Sequence, residues 1–263
     1  MKPIIVMAGT PVDTRMGMDC LSSHGLTGLF CPVSENPNQQ TAFQISPMEK
    51  KAAAVTALLR TAQAEHGCGK AFIYCNSLSG SVDFGPIARE TGLKIVTPLD
   101  VYRQLAPRYH SLAVIAANAQ GTAGIERTLL SANPELTLRS TGLLPVVLSI
   151  EAGEPPEELV SRHRLPELCG WYESVGAEAL VLGCTHFPLL QEELQRVLPE
   201  GTRLIDSGAA IARRTAWLLE HEAPDAKSSD ENKAFCMALT AETEQLLPVL
   251  HRYGFSTLEK LPL

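Results

Sequence analysis

The chain has 263 residues, of which 45% are hydrophobic and 19% charged, with a formal net charge of −7. That length can build one large or two modest cores. The acidic balance argues against nucleic acid or an anionic membrane surface as partner. No apolar run is long enough to span a bilayer and no signal-peptide pattern opens the chain, so a cytoplasmic protein is expected. The seven cysteines (20, 31, 68, 75, 169, 184 and 236) include no C-x-x-C pair and no close Cys/His cluster, so zinc-site spacing is absent. Their odd number, without an export signal, points to thiols rather than a disulfide framework.

Taken in order, Ile4 to Ala8 reads as a buried strand, and residues 9–19 as a polar turn entering a helix. Residues 29–33 form a second strand. Residues 34–44, rich in Asn, Gln and Pro with little periodicity, read as a loop. Ser46-Pro47-Met48-Glu49 has the form of a helix start, with Ser46 as N-cap and Glu49 completing a capping box. Ala54, Val55, Leu58, Leu59 and Ala62 continue that helix. Residues 71–74 predict a strand ending at Cys75, residues 94–96 another, and residues 99–105 a helix. Residues 112–117 predict a strand ending at Asn118. After the segment from Leu143 to Glu151 and a Gly/Glu/Pro-rich turn, residues 159–175 predict a helix interrupted near Pro166. The run Ala179-Leu180-Val181-Leu182-Gly183 is a strand buried on both faces, with a helix after it. Residues 203–205 predict a strand, Asp206-Ser207-Gly208 an N-cap, and residues 209–219 a helix; residues 221–232 read as a loop, and the last segments are short. Alternating strand and helix over this length predicts an α/β fold with two similar three-layer halves built on mainly parallel sheets.

The chemistry gathers at two turns. Cys184, Thr185 and His186 follow one buried strand, and Pro188 is placed for the first turn of the next helix. Cys75, Asn76 and Ser77 follow another strand in the same way. A thiol where a parallel strand meets a helix stands where open α/β sheets place their ligands, and the helix dipole and a neighbouring His favour its thiolate. Two such turns facing across a cleft would set one thiol on either side of a small ligand. Inverting a stereocentre by moving a proton needs a base on one face and an acid on the other, which a thiol/thiolate pair supplies. A Cys/His hydrolase would instead use Cys184, His186 and Glu151 as nucleophile, base and orienter, but it leaves Cys75 without a role. A non-catalytic ligand-binding protein is the third reading, and the presence of both thiols speaks against it. Taken alone, Asp13 is equally a turn residue, and Ser77 and Thr185 are equally helix caps; Cys20, Cys31, Cys68, Cys169 and Cys236 are assigned to packing or surface.

These residues carry a resemblance. Gly183-Cys184-Thr185-His186-Phe187-Pro188-Leu189 and Cys75-Asn76-Ser77 are similar to the two cysteine motifs of the aspartate/glutamate racemase superfamily, glutamate racemase most closely. Val12-Asp13-Thr14, the segment from Pro145 to Glu151 and Leu204-Ile205-Asp206-Ser207-Gly208 resemble further family segments, in the family's order. The resemblance implies a cofactor-independent two-base amino-acid racemase, with its active site in the cleft between two α/β domains. It implies a discontinuous first domain, 1–97 plus 208–263, around a second at 98–207, and a homodimer. It implies catalytic roles for Cys75, Cys184, Asp13 and His186. Thr14, Asn76, Ser77 and Thr185 would bind the substrate, and Glu151 would line the pocket near His186. The implied ligand is a small amino acid, glutamate first, with no metal and no cofactor. Where the family carries Asp-Ser-Gly, Pro-Tyr-Gly and a threonine-bearing turn, this chain has Asp13-Thr14-Arg15, Thr41-Ala42-Phe43 and Ala116-Ala117-Asn118-Ala119. These differences lie where the substrate side chain would be read, and Arg15 is the residue able to pair with a distal carboxylate there.

Overall fold

The computed structural model describes residues 2–198 and 202–206, and the backbones of two further strands at 233–237 and 257–261. The first unit runs β1 (Ile4–Ala8), α1 (Pro11–Ser22), β2 (Gly28–Pro32), α2 (Pro37–Ile45), α3 (Met48–His66), β3 (Lys70–Ile73), α4 (Asn76–Ser81), α5 (Phe84–Thr91) and β4 (Lys94–Val96). Helix α6 (Pro98–Leu105) leads across to β5 (Ser111–Ala116), α7 (Ala119–Ala132), β6 (Thr137–Gly142), α8 (Leu144–Glu151), α9 (Pro156–Arg162), α10 (Leu165–Ser174), β7 (Ala179–Gly183), α11 (Gln191–Val197) and β8 (Arg203–Asp206). Strands β9 (Lys233–Met237) and β10 (Thr257–Leu261) pair in parallel, and β9 runs beside β2 and α3.

Both four-stranded sheets are wholly parallel, in the orders β2-β1-β3-β4 and β6-β5-β7-β8. The second order repeats the first with every number raised by four, so the two halves share one topology and β3 corresponds to β7. In β5 and β7 the alternation of side chains feeds two cores. Ala113, Ile115, Leu180 and Leu182 face α8 to α11, while Leu112, Val114, Ala116 and Val181 face α6 and α7. A sheet covered on both faces needs apolar residues at every position, which is why these strands read as unbroken apolar runs.

Three local expectations change. Residues 37–45 form α2 rather than a loop. Asn36 caps it, its side chain accepting from the Gln39 N–H at 3.0 Å, and Pro37 opens its first turn. Ser46 closes α2 instead of starting α3; its hydroxyl donates to the Phe43 carbonyl, and α3 begins at Met48. The interrupted helix is two helices, α9 and α10, with Arg164 between them at φ +53. Ser207, Gly208, the expected helix at 209–219, the loop at 221–232 and the side chain of Cys236 lie outside the described residues.

The two units touch most closely where α4 meets α7. A Cβ on Gly124 would stand 2.3 Å from the Gly80 Cα, so the two backbones are in direct contact and neither position has room for a side chain.

Candidate active site

Each half brings two strand ends to the cleft. In the first, β1 ends at Gly9 and Thr10, and β3 ends at Cys75; in the second, β5 ends at Asn118 and β7 at Cys184. Thr10, Cys75 and Asn118 are the N-caps of α1, α4 and α7. Asp13, Cys75, Asn76, Ser77, Cys184, Thr185 and His186 all line one cavity between the units. All seven are buried, Cys75 at 3% and Cys184 at 5% exposure. The cavity has room for about one water.

The second thiol is served by charge. Cys184 Sγ lies 3.6 Å from His186 Nδ1, and His186 Nε2 lies 2.9 Å from Glu151 Oε1, which also accepts from the Thr10 hydroxyl at 2.6 Å. Burial works against the imidazolium. The hydrogen bonds to Cys184 and Glu151 and the charges of Cys184 and Asp13 outweigh it, holding His186 well above its ordinary pKa.

The first thiol is served by neutral groups. Gln40 Nε2 donates to Cys75 Sγ at 3.0 Å, the Leu78 N–H approaches the sulfur at 3.5 Å, and the Ser77 hydroxyl lies 3.5 Å away. Burial and the nearby Asp13 carboxylate push the Cys75 thiol up to about 12. Gln40 reaches the sulfur by lying flat on Gly9, where a Cβ would fall about 2 Å from the amide, at 1.9–2.1 Å. Asp13 accepts from the backbone N–H groups of Gly9 and Thr10 at 3.1 and 2.6 Å, and from the Thr185 hydroxyl at 3.4 Å. Burial raises its pKa, against the pull of His186.

The structure thus gathers nearly all the residues singled out from the sequence. Glu151 reaches the site through His186 rather than in the cavity lining, and two residues stand elsewhere. Thr14 is buried in α1 with its hydroxyl donating to the Thr10 carbonyl at 2.6 Å, and it does not line the cavity. Arg15 points outward, 42% exposed, and pairs with Asp19 at 3.0 Å. Its position on α1 turns the guanidinium away from the cleft. Among the residues that join without a role assigned from the sequence are Thr10, Gln40, Gln44 and Tyr102. The Tyr102 hydroxyl donates to Asn76 Oδ1 at 2.6 Å, leaving Asn76 Nδ2 buried and without a hydrogen-bond partner among the described residues. The signals for the others were a Thr-x-x-Asp capping box at 10–13 and an Asn-Pro helix start four residues before Gln40.

Twin parallel α/β units with matched thiols facing one small cavity make a two-unit α/β architecture with paired thiols at its centre. No family model matches the chain. The glutamate racemase of Klebsiella pneumoniae (strain 342) is 95% identical over 86 residues, 33% of this chain and 30% of that protein. A glutamate racemase of Escherichia coli O139:H28 is 83% identical over 84 residues, 32% of this chain and 30% of that protein. The chain therefore matches less than a third of the length of these curated relatives. Over its whole length it superposes on the crystal structure of E. coli glutamate racemase in complex with L-glutamate and the activator UDP-MurNAc-ala. That match has 32% identity and a TM-score of 0.66, covering 100% of this chain and 99% of that one. The fold is also that of a Francisella tularensis glutamate racemase in complex with D-glutamate, with TM-score 0.71 and 15% identity over 99% and 97% of the two chains. The chain belongs to the glutamate racemase family.

Proposed function

We propose that the protein interconverts L- and D-glutamate without a cofactor and so provides D-glutamate for peptidoglycan synthesis. The observation that carries this reading is the pair of buried thiols, Cys75 and Cys184, lining one cavity from corresponding strand ends. In one direction the Cys184 thiolate takes the α-proton and Cys75 delivers its own to the opposite face. In the other the roles exchange. Asn76, with its idle amide N–H, and Thr185 stand ready to hold the amino-acid head group. Among the described residues no helix is long and apolar enough to cross a membrane, and the reading includes a cytoplasmic homodimer. It also includes a first domain completed by the end of the chain, an arrangement supported by β9 running beside β2 and α3.

A second reading, racemisation of a non-acidic amino acid, is favoured by one observation. The described cavity residues include no cation other than His186, and amides of Gln40 and Asn118 stand there instead. A circular-dichroism screen of L-amino acids in deuterated water separates the two. Glutamate is expected to racemise fastest and to take up deuterium at its α-carbon. Cys75→Ser and Cys184→Ser should each lower the rate by about 10²–10⁴, the typical contribution of a positioned acid or base. Turnover of neutral amino acids alone would reject glutamate and leave the racemase class.

A further inference from the structure

We infer that the first thiol is activated by a one-way chain of neutral hydrogen bonds, running from the backbone of α7 through Asn118, Gln44 and Ser77 to Cys75. Gln44 is the positioning residue that carries its direction across the cleft. The inference rests on the two-thiol reading above and assigns its first half-reaction a device of its own.

The direction follows from one group that can only donate. The Gly121 backbone N–H meets an oxygen of Asn118 at 3.0 Å, which makes that atom Oδ1 and turns Nδ2 outward. Asn118 Nδ2 then donates to Thr41 Oγ1 at 3.1 Å and to Gln44 Oε1 at 3.0 Å. Thr41 spends its own proton on the Pro37 carbonyl, so it can only accept from Asn118. With Gln44 Oε1 committed, its Nε2 donates to Ser77 Oγ at 2.8 Å. Gln40 Nε2 reaches the same oxygen at 3.3 Å. Both lone pairs of Ser77 are then filled, and its proton is left for Cys75 Sγ at 3.5 Å. Every bond points towards the sulfur, and hydrogen bonds in series in a dry interior polarise one another.

Cys75 needs such a chain because, among the described residues, no cation faces it. From α1 it meets the Asp13 carboxylate, and from the β7 turn the Cys184 sulfur, both of which oppose a second negative charge. The residues that α2 and α7 present, Gln40, Gln44 and Asn118, are neutral, as are Asn76 and Ser77 on α4. His186 stands behind Cys184, held by Glu151. Donors from uncharged groups are what remains to favour a thiolate there. The first link lies on the second unit and the rest on the first, so the chain is complete only when the cleft is closed.

The test reads the thiol without any substrate, so it stands apart from the assignment of glutamate. The rate of alkylation of Cys75 and Cys184 by iodoacetamide would be followed between pH 6 and 10 by peptide mass spectrometry. Wild type is compared with Gln44→Leu, which cuts the chain, and Gln44→Glu, whose carboxylate takes the Ser77 proton back. In both variants the Cys75 profile is expected to move up by about one pH unit, slowing labelling about tenfold at pH 8, while the Cys184 profile stays put. An unchanged Cys75 profile in either folded variant overturns the inference. So does an equal shift at both thiols, which would mark a general loosening.

Discussion

His186 sits between a sulfur and a carboxylate, 3% exposed in its side chain, against 13% for Glu151. Folding raises its pKa. Its contribution to stability is therefore full below the ordinary value of 6.5 and is lost as pH rises through the raised one. Removing the charge of Glu151 takes away one cause of the rise. In Glu151→Gln, urea titrations below pH 6.5 should show a loss of about 1.5–3 kcal/mol, the usual worth of a hydrogen bond to a charged group. The loss should shrink at higher pH, and the basic limb of the kcat/KM profile should move to lower pH. A stability difference that is flat across pH would mean that Glu151 only packs. The same carboxylate also takes the Thr10 hydroxyl, so part of any loss belongs to the cap of α1.

Helix α2 shows how an element can hide in a sequence. Its buried face is Pro37, Gln40, Phe43 and Gln44, so polar groups point inward and hydrophobic periodicity reports nothing. Composition then reads as a loop, although Asn36-Pro37 spells a capped start. Asn36→Ala should cost about 1 kcal/mol through the lost cap. Because α2 holds Gln40 and Gln44 against the first thiol, racemisation should fall further than the shift in urea midpoint accounts for; an equal fall would separate the helix from the site. The strands were more legible. β1, β5 and β7 are buried at nearly every position, whereas β6, half-buried at the sheet edge, carries Thr, Arg and Ser and no clear pattern. Cys75, Cys184, Asp13 and His186 were legible because each stands within a few residues of the end of a readable strand. Arg15 misled because sequence adjacency to Asp13 says nothing of direction: on a helix, a residue two positions on faces elsewhere, and Arg15 meets Asp19 one turn along.

At the scale of the whole molecule, two copies of one topology bring unlike chemistry to a shared cavity. One thiol has an imidazole and a carboxylate, the other a train of amides and a hydroxyl. The repeated strand order supplies the facing thiols while side chains set them apart. A cavity with room for about one water would have to widen to take an amino acid. Gly124→Ala places a methyl 2.3 Å from the Gly80 Cα and should cost about 1–3 kcal/mol through overpacking. Since the strained contact joins the two halves, racemisation should fall even at temperatures where thermal melts show the variant fully folded. Unimpaired turnover would show that the spacing of α4 and α7 does not set the thiols.

The meeting of Gly80 and Gly124 has a mechanical side. With no side chains between them, α4 and α7 meet backbone to backbone, and each begins at the cavity, with Cys75 and Asn118 as their caps. Gly80 is five residues beyond Cys75, so at a rise of about 1.5 Å per residue the sulfur's backbone lies roughly 7 Å from that point. A swing of about 10° would shift it by only about 1 Å on so short a lever. The outer ends of both units would travel farther on their longer arms. Such a swing would widen the mouth of the cleft more than the space between the two sulfurs.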